Sequence, residues 1–182
     1  FPTAFWYEDI EDDDTRNTMR KRTNDAIARE PLEIVEYVLR NERPFTEVFT
    51  ADYTIINPYS ARSYGLDLGI FTDPNDENER IPWTFEQFDQ AGLLTTSVFL
   101  SRYPSTPTNR NRARARYVYK FFLATDVLRL AARPLDATQI QSHNPTLNVA
   151  ACNVCHNNLD PIAGLFQNWS DEGRYRPMSE GW

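Results

Sequence analysis

Apolar residues recur every three or four positions through much of the chain, and that period predicts helices. Pro31 reads as a first helical residue, after which Leu32, Val35 and Leu39 share one face. Phe45, Val48 and Phe49 suit a short second helix. Asn57-Pro58 offers a cap and a first-turn proline, with Gly65 placed to end that helix. Thr84 and Gln87 have the spacing of a capping box, with Gly92 as the stop. The longest helix is expected over about residues 109–130, with Val118, Phe121, Phe122, Thr125 and Leu128 along one side. Asp160-Pro161 reads as another cap and start, followed by a buried stripe of Ile162, Leu165, Phe166 and Trp169 that ends at Gly173. Residues 70–82 form a polar loop and 135–149 a turn-rich stretch. No internal repeat or low-complexity tract interrupts this pattern. The expected fold is mainly α, with short helices and long loops. Residues 1–24 are expected as an acidic N-terminal arm and 25–182 as a single helical domain, with 70–82 as the place for any sub-boundary.

Composition narrows the function classes. At 182 residues the chain can bury a real core. No apolar run reaches 18 residues, so no membrane span is expected. The formal net charge is −7, which disfavours nucleic-acid binding, where phosphate neutralisation dominates. Acid clusters at 8–14 and 73–79, and basic residues cluster at 102–120; such asymmetry suits docking to a redox partner protein. The chain opens at Phe1, with no signal peptide, and reads as a processed chain or a piece of a longer one. Asp73, Asn75 and Glu77 alternate like a calcium loop, but Asn78 stands where the glycine is expected.

The chemistry concentrates in one pentapeptide. Both cysteines of the chain lie in Cys152-Asn153-Val154-Cys155-His156. C-x-x-C-H is the spacing of c-type haem attachment: two thiols add to the two vinyl groups of one haem, and the next residue brings an imidazole to the iron. A zinc site would need a fourth ligand beside Cys152, Cys155 and His156, from His143 or a carboxylate. A thioredoxin-like pair would sit by a βαβ pattern, which is absent, and a disulfide across this spacing would be strained. The expected cofactor is therefore one covalent haem c, with helices packed around it. Attachment of that kind takes place outside the cytoplasm, so the expected location is periplasmic or extracellular.

The segment Leu159-Asp160-Pro161-Ile162-Ala163-Gly164-Leu165, following the motif and followed by Asp171-Glu172-Gly173-Arg174-Tyr175-Arg176, resembles the haem module of planctomycete- and myxobacterial-type cytochrome c proteins. Those carry paired domains of unknown function beside such a module. Phe49-Thr50-Ala51-Asp52-Tyr53-Thr54, with Ala61-Arg62-Ser63-Tyr64-Gly65, resembles the signature of the first domain. Ala91-Gly92-Leu93-Leu94-Thr95 and the arginines of 110–116 resemble the start of the second. The resemblance spans roughly residues 25–176. Two departures stand out: relatives are usually much longer, and the acid and phenylalanine they carry before the final glycine are replaced here by Gln167-Asn168-Trp169-Ser170-Asp171.

With His156 as proximal ligand, the distal candidates are His143, slightly favoured, and Met178. Met19 lies remote among Arg20, Lys21 and Arg22. A ligating histidine normally donates its other ring N–H to a carboxylate or carbonyl, which points to Asp160 or a carbonyl near Pro161. Arg174, Arg176 or the 110–116 arginines suit haem propionates. Tyr117, Phe121, Phe122 and Trp169 suit either pocket walls or an ordinary core. Three functions follow as expectations. The first is an electron-transfer protein. The second is a peroxidase- or oxidase-like enzyme with an open distal site. The third is a structural haem subunit among other chains of a multi-haem assembly.

Overall fold

The acidic stretch near the N-terminus begins a helix rather than an arm. The computed structural model describes residues 7–130 and 144–176. In it α1 runs Asp13–Arg40, with Asp12 as N-cap accepting from the Thr15 amide at 2.7 Å. Asp13 and Asp14 occupy the first turn, where carboxylates complement the helix dipole. Residues 13–24 of the expected arm are thus helical, and Tyr7 is buried against α1 with its hydroxyl bonded to Thr23. Pro31 sits inside α1 rather than starting it. The buried face is Thr23, Ile27, Glu30, Ile34 and Val38, while Leu32 is 67% and Leu39 61% exposed. The periodic stripe 32, 35, 39 is therefore mostly on the wet side.

The chain divides into two compact units, Phe1–Ser101 and Arg102–Trp182, so the division falls well past 70–82. The first unit continues with α2 (Glu47–Thr50), β1 (Thr54–Ile56), α3 (Pro58–Ser63), β2 (Ile81–Trp83) and, at its end, α4 (Ser97–Arg102). Asn57 caps α3 in a full capping box with Ser60. Gly65, at φ +69°, closes it: the Gly65 amide donates to the Arg62 carbonyl and the Leu66 amide to that of Ala61. β1 and β2 pair antiparallel, Thr54 opposite Trp83 and Ile56 opposite Ile81. Alternation along β1 sends Ile55 into a cluster with Ile34, Ala51 and Tyr53, and Ile56 into another with Ala61 and Phe71. Pro82 is tolerated because the ladder has only two strands.

No helix forms after Thr84. Gly92 serves a close approach instead: its amide donates to the Ala51 carbonyl, Leu93 donates to that of Val48, and a Cβ at 92 would lie 2.1 Å from the Val48 oxygen. The loop before β2 is tied by Glu79, whose carboxylate accepts from the Thr72 and Asp73 amides. Asp73 Oδ1 accepts from the Asn75 amide, and Glu77 gives its carbonyl to Asn57 Nδ2. The calcium-like alternation is thus spent on turns.

The second unit holds α5 (Arg112–Phe122), α6 (Pro145–Asn148) and α7 (Ala150–Gly164). α5 is far shorter than the helix expected over 109–130. It starts after Arg110 and Asn111, both at positive φ, and ends at Ala124 in the same conformation. Thr125 and Leu123 both donate to the Tyr119 carbonyl there. Its buried positions are Arg114 and Ala115; Phe121, Phe122 and Leu128 are exposed. α7 passes through Pro161 without restarting, and ends before Leu165, which is 74% exposed. Phe166 and Trp169 are buried as expected. Ala115, Val127, Leu159 and Ala163 form the core, with Tyr119, Cys155 and Ile162 packed on it. The molecule is mainly α, and among the described residues no helix is long and apolar enough to cross a membrane.

Candidate functional site

Helical spacing gathers the motif. Cys152, Cys155, Leu159 and Ala163 recur at intervals of three and four on α7, and Cys152, His156 and Asp160 at intervals of four beside them, so the two rows share one broad face. Leu159 and Ala163 anchor that face on the core with α5. Both thiols are free and partly exposed. The Cys155 thiol donates to the Val127 carbonyl at 3.2 Å. Val127 is itself fixed by Asp126, which caps the following 3-10 turn and pairs with Arg116 of α5.

His156 Nδ1 lies 3.1 Å from Asp160 Oδ1 and 3.3 Å from Oδ2. Arg112, the first residue of α5, forks onto the same carboxylate, Nε to Oδ1 at 2.7 Å and Nη2 to Oδ2 at 3.1 Å. Partial burial pushes the Asp160 carboxyl up, but hydrogen bonds from Arg112 and then His156 outweigh it and hold it below the usual range. An ionised carboxylate only accepts, so Nδ1 carries the proton and Nε2 is the nitrogen left for a metal.

The start of α5 is pinned by a buried network that spacing alone had not revealed. Asn111 Nδ2 donates to the Phe166 carbonyl at 3.0 Å. Arg114, with no exposed surface, donates to Asn111 Oδ1 and to the carbonyls of Tyr103, Trp169 and Ser170. Burial lowers this guanidinium to about 10, against Asp171, which favours the charge. Arg114 therefore staples the chain after α7 and is not free for a propionate. The clue was available: arginines two apart on a helix fall on nearly opposite sides, so 112 and 116 part company with 114.

The other expected site residues are scattered or lie outside the described residues. Arg174 is exposed beside Glu172, and the Arg176 amide donates to the Asn168 carbonyl. Pro161 lies inside α7 and is exposed. His143 and Met178 fall outside the described residues. Tyr117 stacks on Tyr103 with centroids 4.0 Å apart. Arg110, Arg112, Ala163 and Gln167 line an open groove with the Asp160 carboxylate. Among the described residues, no group of three or more His, Cys, Asp or Glu converges as a metal cage. The residues present do fit a haem: two free thiols one turn apart, and an adjacent histidine whose Nδ1 is already taken.

A family model described as "PSD4: Protein of unknown function (DUF1592)" matches residues 5–66, about a third of the chain. The matched stretch contains the 49–65 pattern on which the first-domain resemblance rests, and agrees with that resemblance at a coarse level. No curated protein and no solved structure matches.

Proposed function

We propose that this chain is a c-type cytochrome module that carries electrons through one haem joined to Cys152 and Cys155, with His156 as proximal ligand. The observation that carries the reading is the sharing of one helix face by both thiols and an imidazole whose Nδ1 is held by Asp160. When bound, the haem supplies one-electron ferric/ferrous chemistry. The protein's part is positional. The two thiols fix the group to α7, Asp160 sets the tautomer and ring orientation of His156, and Arg112 holds Asp160. His143 or Met178 would be the distal ligand, and the location would be periplasmic or extracellular. Residues 102–182 carry 10 Lys and Arg against 6 Asp and Glu, whereas 1–101 carry 9 against 20. The motif thus lies in the basic part of the chain, which suits an acidic redox partner.

The test is expression in a bacterial periplasm with haem-attachment machinery. Haem should remain on the denatured polypeptide, and Cys152→Ala or Cys155→Ala should each shift the alkaline pyridine haemochrome band by the loss of one thioether. A folded protein that never acquires covalent haem overturns the reading. A second reading, an enzyme with an open distal site, draws on the carboxylate at Nδ1, since such a partner raises ligand basicity and favours oxidised iron. Carbon monoxide separates the two: an unchanged ferrous spectrum supports electron transfer, and a clear shift with peroxide turnover supports the enzyme.

A further inference from the structure

We infer that Arg112 governs how strongly Asp160 draws on the His156 ring, and through it the reduction potential of the site. This rests on the cytochrome reading and deepens it. One carboxylate here serves two donors at once. Its shortest contact, 2.7 Å, goes to Arg112 Nε, and its contacts to His156 Nδ1 are 3.1 and 3.3 Å. A carboxylate on Nδ1 raises the donor strength of the ligating nitrogen and so favours ferric iron. A guanidinium drawing on both oxygens of that carboxylate weakens the effect. Asp160 and Arg112 therefore act in opposite senses on the same proton.

The fold holds this arrangement in place. Arg112 follows Asn111, which is tied to the Phe166 carbonyl, and precedes Arg114, which is tied to Trp169 and Ser170. The start of α5 is thereby fixed to the chain that follows α7. The protein also contains its own control. Arg116, one turn along α5, forks onto Asp126 at 3.3 Å through both Nε and Nη2. Among the described residues no histidine partners that carboxylate: Asp126 accepts from Arg116 and from the Leu128 amide. Arg116 thus carries the same charge on the same helix, and its link to α7 runs through Asp126 and Val127 to the Cys155 thiol, whose proton is lost once a thioether forms, and not to His156. Arg112 is a positioning residue, acting through Asp160.

The experiment is equilibrium redox titration of the haem-loaded chain, four single variants and one double variant. Arg112→Gln should lower the potential, leaving the oxidised-to-reduced ratio at a fixed poise at least threefold higher. Arg112→Lys, which keeps the charge but loses the fork, should shift it the same way by less. Asp160→Asn should raise the potential, and Arg116→Gln should leave it within twofold in ratio. In the Asp160→Asn background, Arg112→Gln should have no further effect, since its route is gone. A shift from Arg112→Gln that survives in that background, or that Arg116→Gln reproduces, overturns the inference in favour of a through-space charge effect. An unmoved potential in both Arg112 variants overturns it outright. A wild-type chain that takes up no covalent haem overturns the cytochrome reading instead, and is seen in the haem assay before any potential is measured.

Discussion

Among the described residues each unit fully buries one side chain that ordinarily bears a charge, Glu30 in the first and Arg114 in the second, and the two are treated in opposite ways. Glu30 of α1 is 1% exposed; Oε2 accepts from the Tyr64 hydroxyl at 2.9 Å, and Oε1 has no hydrogen-bond partner. Burial pushes its carboxyl up to about 8, and burial and then Glu30 itself push Tyr64 well above its ordinary range. Arg114 is surrounded by four acceptors and, even lowered to about 10, keeps its charge at neutral pH. A carboxyl can shed its charge by taking up a proton, so a buried glutamate needs little around it. A guanidinium has no such escape near neutrality, so the chain must wrap it in carbonyls. The first unit therefore tolerates its buried group through chemistry, and the second through geometry.

The largest expected effect tests the geometric half. Arg114→Met fills the space but strands the carbonyls of Tyr103, Trp169 and Ser170. The expected loss is about 4 kcal/mol, the range for breaking a buried hydrogen-bonded charge. Hydrogen exchange on the whole chain should show protection falling within 102–176 and persisting within 7–101. A loss below about 1 kcal/mol, smaller than a typical single hydrogen bond, would mean that the staple holds nothing.

The first unit has its own geometric constraint, at a backbone contact. Gly92 has φ +49°, and an added Cβ would lie 2.1 Å from the Val48 oxygen and 2.7 Å from its carbon. Both are backbone atoms, so no side chain can swing aside. Gly92→Ala should cost about 3 kcal/mol, from left-handed strain and the clash together. Gly65 shares a positive φ but has nothing within 4 Å, so Gly65→Ala should cost only about 1 kcal/mol. Urea midpoints of the two variants check the difference; equal losses would show that the close approach at Gly92 is relaxed in solution.

What was legible in the sequence follows the same division between local and distant causes. Asn57-Pro58 and Gly65 bound α3 because capping and chain reversal are decided within a few residues. Cys152, Cys155 and His156 were legible from their spacing, but Asp160, read as the cap of a new helix, joins their face only because α7 runs on through Pro161. Pro31 misled because proline is suited to a first turn and yet is held inside α1 by burial on both sides of it, at Ile27, Glu30, Ile34 and Val38. The Thr84–Gln87 spacing misled because residues 81–83 are drawn into pairing with 54–56, which no local signal encodes. α5 was overextended because its stop, Ala124 at φ +49°, lacks the glycine or asparagine that usually marks such a turn. Helical spacing puts Arg112 and Arg114 on nearly opposite sides of α5, but tertiary contacts decide which goes to Asp160 and which to the interior.

The most gradual effect, spread over several pH units, and the most direct test of the chemical half, belongs to Glu30. Its ordinary value is 4.5 and its folded value about 8. Below about pH 4.5 both folded and unfolded chains hold this proton, and the group places no electrostatic burden on folding. Between those values the unfolded chain has released the proton while the folded chain retains it. The native state then binds more protons, so stability falls as pH rises, by at most about 1.4 kcal/mol per pH unit. Above the folded value both states are ionised and the loss is complete. Glu30→Gln keeps the shape and still offers Tyr64 an acceptor, but removes the titration. The stability of wild type minus that of the variant, from urea unfolding at closely spaced pH, should therefore be level in acid, decline towards pH 8 and level again. Glu47, Glu79, Asp126 and Asp160, whose carboxyls are held below their usual range, contribute the opposite slope in acid but do so in both proteins and cancel. A flat difference from pH 5 to 8 would mean that the Glu30 carboxylate is charged and paired inside the first unit, and the contrast with Arg114 would collapse.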